Sequence, residues 1–209
     1  MALLPTFSST SNPFSLKNSM KPQFQSLVSK PTVCSKEPIP SMSELMASSL
    51  NQNMKLHLKT LGPFFRVTAT SLATQQELGR AEGFIKLWFN ERIIERILHL
   101  DSIKMRRETI GMERSIFGLG LFVGAVAIRH GYDSGCRKAE LLSINDSDYY
   151  HSKLVRFYTR MGFKPVHEVT GSSIGDVPHL LIWGGRGTRM DANIEELLIK
   201  WGTRFKAQS

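Results

Sequence analysis

From Ser115 to Phe163 an apolar helix, an apolar strand and an amphipathic helix follow one another in an order few folds accommodate. The run Ile116 to Ile128 is apolar throughout and carries Gly118, Gly120 and Gly124. It is too short to cross a bilayer, so it reads as a helix of roughly Leu119 to Tyr132 buried on a sheet. Gly118 and Gly120 read as a turn that opens it, and Gly131 and Gly135 close it. Ala139 to Ile144 then reads as a buried strand. Arg96 to Met105, upstream, alternates as a third strand of the domain. Strand, helix, strand in this order is a parallel crossover, right-handed by the general rule. A helix start beyond a strand end presents free N–H groups and partial positive charge, which suit an anionic ligand.

The chain has 209 residues, enough for one domain with a sizeable core. Residues 1–36 hold Lys17, Lys21, Lys30 and Lys36, many Ser, Thr, Pro and Asn residues, and neither Asp nor Glu. This is the composition of an organellar transit peptide, and its hydroxyl-rich, arginine-free character favours the chloroplast, with delivery to the stroma. Such a leader has too little apolar content to form a core and is expected to be disordered. Val33-Cys34-Ser35 is the expected processing site. Residues 37–55 read as a linker with a short helix over Met42 to Leu50, and residues 56–209 as the folded domain. Of the formal charge of +9, four units belong to the leader lysines, so the remainder carries +5. That excess suits an anionic ligand. No dense basic run with interleaved aromatics argues for nucleic acid, and no segment reads as a membrane span. Cys136 reads as a small core residue. No His/Cys/Asp/Glu cluster reads as a metal site.

Phe64 to Thr70 and Arg80 to Phe89 read as strands, with Gly62-Pro63 breaking the first from what precedes it. His99 reads as a structural histidine; Asp101 reads either as a buried acceptor or as a general base. Arg106, Arg107 and Arg114 lie in a charged loop before the glycines and either face phosphates or are solvated. Lys164 to Val169 and Val177 to Trp183 read as a closing antiparallel hairpin. Gly184 to Arg189 reads as a loop, either a plain turn or a cover for an acceptor site. Asp191 reads as the N-cap of a last helix whose apolar face is Ile194, Leu197, Leu198 and Trp201.

The glycines alone leave two ligands open. Gly118-x-Gly120-x-x-x-Gly124, with Glu140 downstream, is a weak dinucleotide fingerprint; the long loop after the third strand counts against it. The second reading uses Phe157-Tyr158-Thr-Arg-Met-Gly162-Phe163 as well as Ser115-Ile-Phe117-Gly118-Leu119-Gly120. Together these resemble the GNAT superfamily of acyl-CoA-dependent N-acyltransferases, whose pyrophosphate loop reads Gln/Arg-x-x-Gly-x-Gly/Ala and whose last core helix ends Tyr-x-x-x-Gly-Phe. The resemblance spans Leu78 to Trp183 and is concentrated between Gly118 and Val166. Ser115 and Phe117 make the pyrophosphate loop divergent, and His151 stands where members often carry Asn.

The resemblance implies an α/β fold, a GNAT-like mixed β-sheet flanked by helices. It implies a pyrophosphate held near Ser115, Phe117, Gly118, Leu119 and Gly120. Strands ending near Met105 and Ile144 would part to admit the pantetheine arm. Tyr158 would protonate the leaving thiolate. The implied activity is N-acyl transfer from acetyl-CoA, or another acyl-CoA, to an amine of a metabolite or protein. The alternative is a catalytically weak GNAT-fold module that binds CoA or a protein partner. The two helices that usually follow the first strand and shape the acceptor site are not recognisable in the sequence.

Overall fold

The computed structural model describes residues 39–90, 93–106, 116–172 and 176–206. The expected leader and most of the charged loop, Arg107 and Arg114 included, lie outside them. Seven strands form one mixed sheet in the order β1-β2-β3-β4-β5-β7-β6. They are β1 (Met54–Leu61), β2 (Phe64–Ser71), β3 (Glu77–Asn90), β4 (Ile93–Met105), β5 (Lys138–Ile144), β6 (Lys164–Val169) and β7 (Gly187–Asn193). All neighbours are antiparallel except β4 and β5, the strands joined by the crossover.

The helices are α1 (Met42–Asn51), α2 (Ile116–Asp133), α3 (Asp148–Met161), α4 (Val177–Trp183) and α5 (Ile194–Lys206). Helix α2 lies across β2, β3 and β4 and against α1 and α5. Its valines and alanines from Val123 to Ile128 are fully buried, which accounts for an apolar helix in a protein of ordinary composition. Where Gly131 passes β4, an added Cβ would stand 2.9 Å from the Leu98 side chain, so this glycine sets how closely helix and strand approach. Helix α3 packs on β5, β6 and β7. The Trp201 indole of α5 donates to the Met161 carbonyl of α3 at 2.8 Å. Four helices therefore share one face of the sheet, and Cys136 is buried beneath them, its thiol pushed up to about 11 by that burial.

The structure alters the expected layout in four places. The short helix expected over Met42 to Leu50 is present as α1, but it packs into the core through the fully buried Leu45, and β1 starts already at Met54. Ser41 and Glu44 form a capping box at the start of α1. Val177 to Trp183 is the helix α4 rather than a strand, with Pro178 in its first turn and Gly184 in the left-handed region, φ 67°, at its end. The partner of β6 is β7, which occupies the expected glycine loop. Asp191 lies within β7, and Asn193 caps α5 through a 3.0 Å bond from the Glu196 N–H. The apolar face expected for that last helix is buried as read.

β4 contains a bulge. Ser102 pairs with Glu82 and Leu100 with Gly83, which leaves Asp101 as the extra residue. The bulge requires a glycine opposite it: a Cβ on Gly83 would lie 2.1 Å from the His99 carbonyl oxygen. Backbone cannot yield there without losing ladder hydrogen bonds. Gly83→Ala is therefore expected to destabilise the protein by about 3 kcal/mol, read as a lower urea midpoint; an unchanged midpoint would show that the bulge tolerates a side chain.

Candidate functional site

β4 and β5 are paired over four rungs only, from Ile97 with Lys138 to Leu100 with Leu141. β4 then continues to Met105 and β5 to Ile144 without pairing to each other. The Asp101 bulge sits at the point of separation and bends β4 away. A parallel pair that parts leaves backbone N–H and C=O groups along both inner edges, which an extended polar ligand can take up.

Helix α2 begins beside this gap. An added Cβ on Gly120 would stand 2.9 Å from the Phe157 ring of α3 and 3.4 Å from Met105 Cε at the end of β4. One small residue thus brings together the helix start, the end of β4 and the neighbour of Tyr158. The glycines do not form a turn before the helix, as the sequence implied. Both lie inside it, since α2 starts at Ile116. Their roles differ. Gly120 makes room for protein side chains, whereas a Cβ on Gly118 would meet nothing within 4 Å among the described residues. Gly118 lies in the first turn, where N–H groups have no partner in the helix. Leu119 buries its side chain in the core, so only its backbone is offered to a ligand. Phe117 contributes backbone to the same turn, its side chain lying outside the described residues, as does all of Ser115.

Tyr158 is 8% exposed and packs edge-on against Phe157 and Phe163, with ring centroids 5.3 and 6.2 Å away. Burial pushes its phenol up to about 12. Part of the motif around it is a helix stop. The Tyr158 carbonyl accepts from both the Gly162 and Phe163 N–H groups, with Gly162 at φ 119°. The Tyr-x-x-x-Gly-Phe spacing therefore has a local structural cause as well as an expected chemical one.

Further polar groups lie on the same side. Ser143 of β5 is buried and its hydroxyl has no partner among the described residues. It pairs across the sheet with Thr188. The Thr188 hydroxyl donates to Glu168 Oε1 at 2.7 Å and lies 2.8 Å from His151 Nε2, which must then be the donor. Only the register of β5 and β7 brings Ser143 and His151 near one another.

The opposite face holds a buried charge cluster that no spacing in the sequence announced. His99 is fully buried, its ring between Phe84 and Trp183 at centroid distances of 4.4 and 3.8 Å. Its Nδ1 lies 3.0 Å from Glu140 Oε1. Glu140 is also paired with Lys86, and Arg189 stands 3.6 Å from its other oxygen. Burial alone pushes the Glu140 carboxyl up. The hydrogen bonds from His99 and Lys86, with the charges of Lys86 and Arg189, outweigh that and hold it at about 2. Glu140 is thus committed to His99 and Lys86, which removes it as the ribose-binding acid of a dinucleotide site. His99 is structural as expected on this side, but its Nε2 has no partner among the described residues. Asp101, read as a possible buried acceptor, is exposed.

No family model matches the chain, and no curated protein matches it. Among solved structures it is similar to a GNAT-family protein from Desulfovibrio desulfuricans, with 16% identity, 64% of this chain and 70% of that one covered, and a TM-score of 0.46. It is also similar to a GNAT-family acetyltransferase from Staphylococcus aureus Mu50, with 14% identity, 63% and 68% coverage and a TM-score of 0.44. A third is Arabidopsis thaliana NAA60 in complex with a bisubstrate analogue, with 16% identity, 63% and 76% coverage and a TM-score of 0.40. Likeness at this level carries no conclusion about activity.

Glu140 has a depressed carboxyl, so the stability it contributes is present above the ordinary carboxylate range near 4.5 and is lost as pH falls towards about 2. Glu140→Gln is expected to cost about 3 kcal/mol at neutral pH and to lose that deficit at pH 2. Urea unfolding of both proteins across that range measures it; a deficit independent of pH would mean the carboxylate charge is not what stabilises the cluster.

Proposed function

We propose that this chain is an acyl-CoA-dependent N-acyltransferase, moving an acetyl group from acetyl-CoA to an amine. The observation that carries the reading is the parallel pair β4–β5, which parts after four rungs beside the start of α2. The freed strand edges suit the two amides of a pantetheine arm. The free N–H groups of the first turn of α2, with Gly118 open to approach, suit the pyrophosphate.

The reaction needs no nucleophile from the protein. The amine nitrogen attacks the thioester carbon, the C–N bond forms, and the C–S bond breaks as the electrons pass to sulfur. The nitrogen loses a proton as the amide forms and the departing thiolate gains one, so the products are the amide and the free CoA thiol with no net proton change. Tyr158 is the candidate donor, and its phenol is fully protonated at neutral pH. A thiol's ordinary pKa is about 8.5, so complete transfer from a phenol at about 12 would be uphill by roughly 5 kcal/mol. Tyr158 is therefore better suited to donating a hydrogen bond to the developing thiolate than to surrendering its proton outright. The same burial favours the second reading, a GNAT-fold module that binds acyl-CoA with little catalysis.

Calorimetric titration with acetyl-CoA should show binding by the wild type. Gly118→Val should weaken it at least tenfold, while Tyr158→Phe should bind normally and release CoA at least tenfold more slowly when amines are supplied. Failure of the wild type to bind acetyl-CoA removes the proposal. Binding with no CoA release by the wild type, across a panel of amines, selects the silent module instead.

The leader composition supports residence in the chloroplast stroma, with residues 1–36 as the transit peptide. A fusion of residues 1–40 to a fluorescent reporter is expected to accumulate in plastids of leaf protoplasts; a cytosolic signal refutes it.

A further inference from the structure

The sheet face that carries His99 also carries a cleft of about 620 Å³, whose lining includes Lys59, Phe64, Arg66, Glu82, Phe84 and Asp101. It reaches from the β1–β2 hairpin to the β4 bulge, so it ends where β4 leaves β5. Its floor is aromatic. Phe64 and Phe84 are direct cross-strand partners with ring centroids 5.8 Å apart. Phe84 is held from behind by its stack on His99, which Glu140 fixes in turn. Phe64 is 58% exposed, a large apolar surface to leave in water at the mouth of a cleft.

The charges along the cleft are unequal in their commitments. The Arg66 guanidinium is taken by Glu82 at 2.5 Å, and Glu82 also meets Arg80 at 3.7 Å. Asp101 has no pairing partner among the described residues. It is the extra residue of the bulge, and a bulge re-aims the side chain it carries. Lys59 stands on β1, three strand spacings from β4, or roughly 14 Å. One small zwitterion cannot span the two, so Lys59 does not choose the group that meets Asp101. From Phe84 to Asp101 the backbone separation is one strand across and two residues along, roughly 8 Å. A link of two or three carbons between an apolar ring and an ammonium fits that spacing.

We propose that this cleft is the acceptor site and that it selects primary amines bearing an apolar, preferably aromatic, body: the body lies on Phe64 and Phe84 and the ammonium is anchored by Asp101. The inference takes the acyl-transfer reading as its premise for what the amine is for, but binding to the cleft is measurable without it. Such an amine is placed at the end of the cleft where the gap between β4 and β5 opens, and because Asp101 is exposed the bound ammonium can lose a proton to water before the neutral nitrogen attacks. Neither a polyanion nor a long polyamine matches a cleft with one uncommitted carboxylate and an aromatic floor.

The probe is 2-phenylethylamine, titrated into the full chain without acetyl-CoA and followed by calorimetry and by ring-proton NMR of the protein's phenylalanines. Binding in the high micromolar to millimolar range is expected, with at least tenfold weaker binding of the neutral 2-phenylethanol. Asp101→Asn should lose at least tenfold for the amine and leave the alcohol unchanged. Phe64→Ala, a change at an exposed position, should weaken amine and alcohol alike. Absence of amine binding by the wild type overturns the proposal, as does equal binding of amine and alcohol, or an Asp101→Asn variant that binds the amine as the wild type does. Failure here leaves an acetyl-CoA titration to be judged by itself, and a protein that binds the amine but not acetyl-CoA would keep the cleft and lose the acyl-transfer reading.

Discussion

The proposed acyl-CoA site depends on β4 and β5 being parallel neighbours that cannot stay together. They share four rungs, and then the extra residue at Asp101 bends β4 away. The bulge is possible because Gly83 has no side chain to meet the His99 carbonyl. Separation leaves unpaired backbone groups in the middle of a sheet, an arrangement that costs stability unless a ligand or water satisfies them. The crossover helix α2 returns its N-terminal turn to the same place. Polar strand edges and a partially positive helix start thus converge.

The two faces of the sheet do different work around this gap. On the helix face, Gly120 lets α2 approach Met105 and Phe157, and the largely buried Tyr158 ring packs against Phe157 and Phe163. On the other face a buried carboxylate, Glu140, gathers His99, Lys86 and Arg189. A buried charge is tolerable only when it is paired, and this one joins β3, β4, β5 and β7. It also fixes the ring stack from Trp183 of α4 through His99 to Phe84. The short helix α4 therefore belongs to the wall of that face, held by one tryptophan and by the Asp176 carboxylate, which accepts from the Thr170 and Gly171 N–H groups.

Much of this was legible in the sequence, and the exceptions have physical causes. The apolar run of α2, the alternation in β3 and β4 and the apolar face of α5 were each visible as periodicity. Val177 to Trp183 was misleading because a run of seven apolar and aromatic residues fits a buried strand and a short helix alike; Pro178 and Gly184 were the better guides. β7 was hidden because Gly184 to Arg189 resembles a turn, and strand pairing supplied what its composition lacked. The glycines mark the right region but not its geometry, since both lie inside α2. No one-dimensional pattern distinguishes a glycine facing a ligand, as Gly118 is placed to do, from one facing Phe157, as Gly120 does.

The sequence by itself determined the crossover, the helix stop at Gly162-Phe163, the apolar core and the composition of the leader, because each is a local or periodic property of neighbouring residues. Only the tertiary structure decided that Glu140 serves His99 and Lys86, that Ser143 lies beside Thr188, and that Asp101 stands at a bulge over an aromatic floor without an ion-pair partner among the described residues. Those relations depend on strand register, and register is fixed by the whole sheet: one residue of slip would turn each of these side chains to the other face.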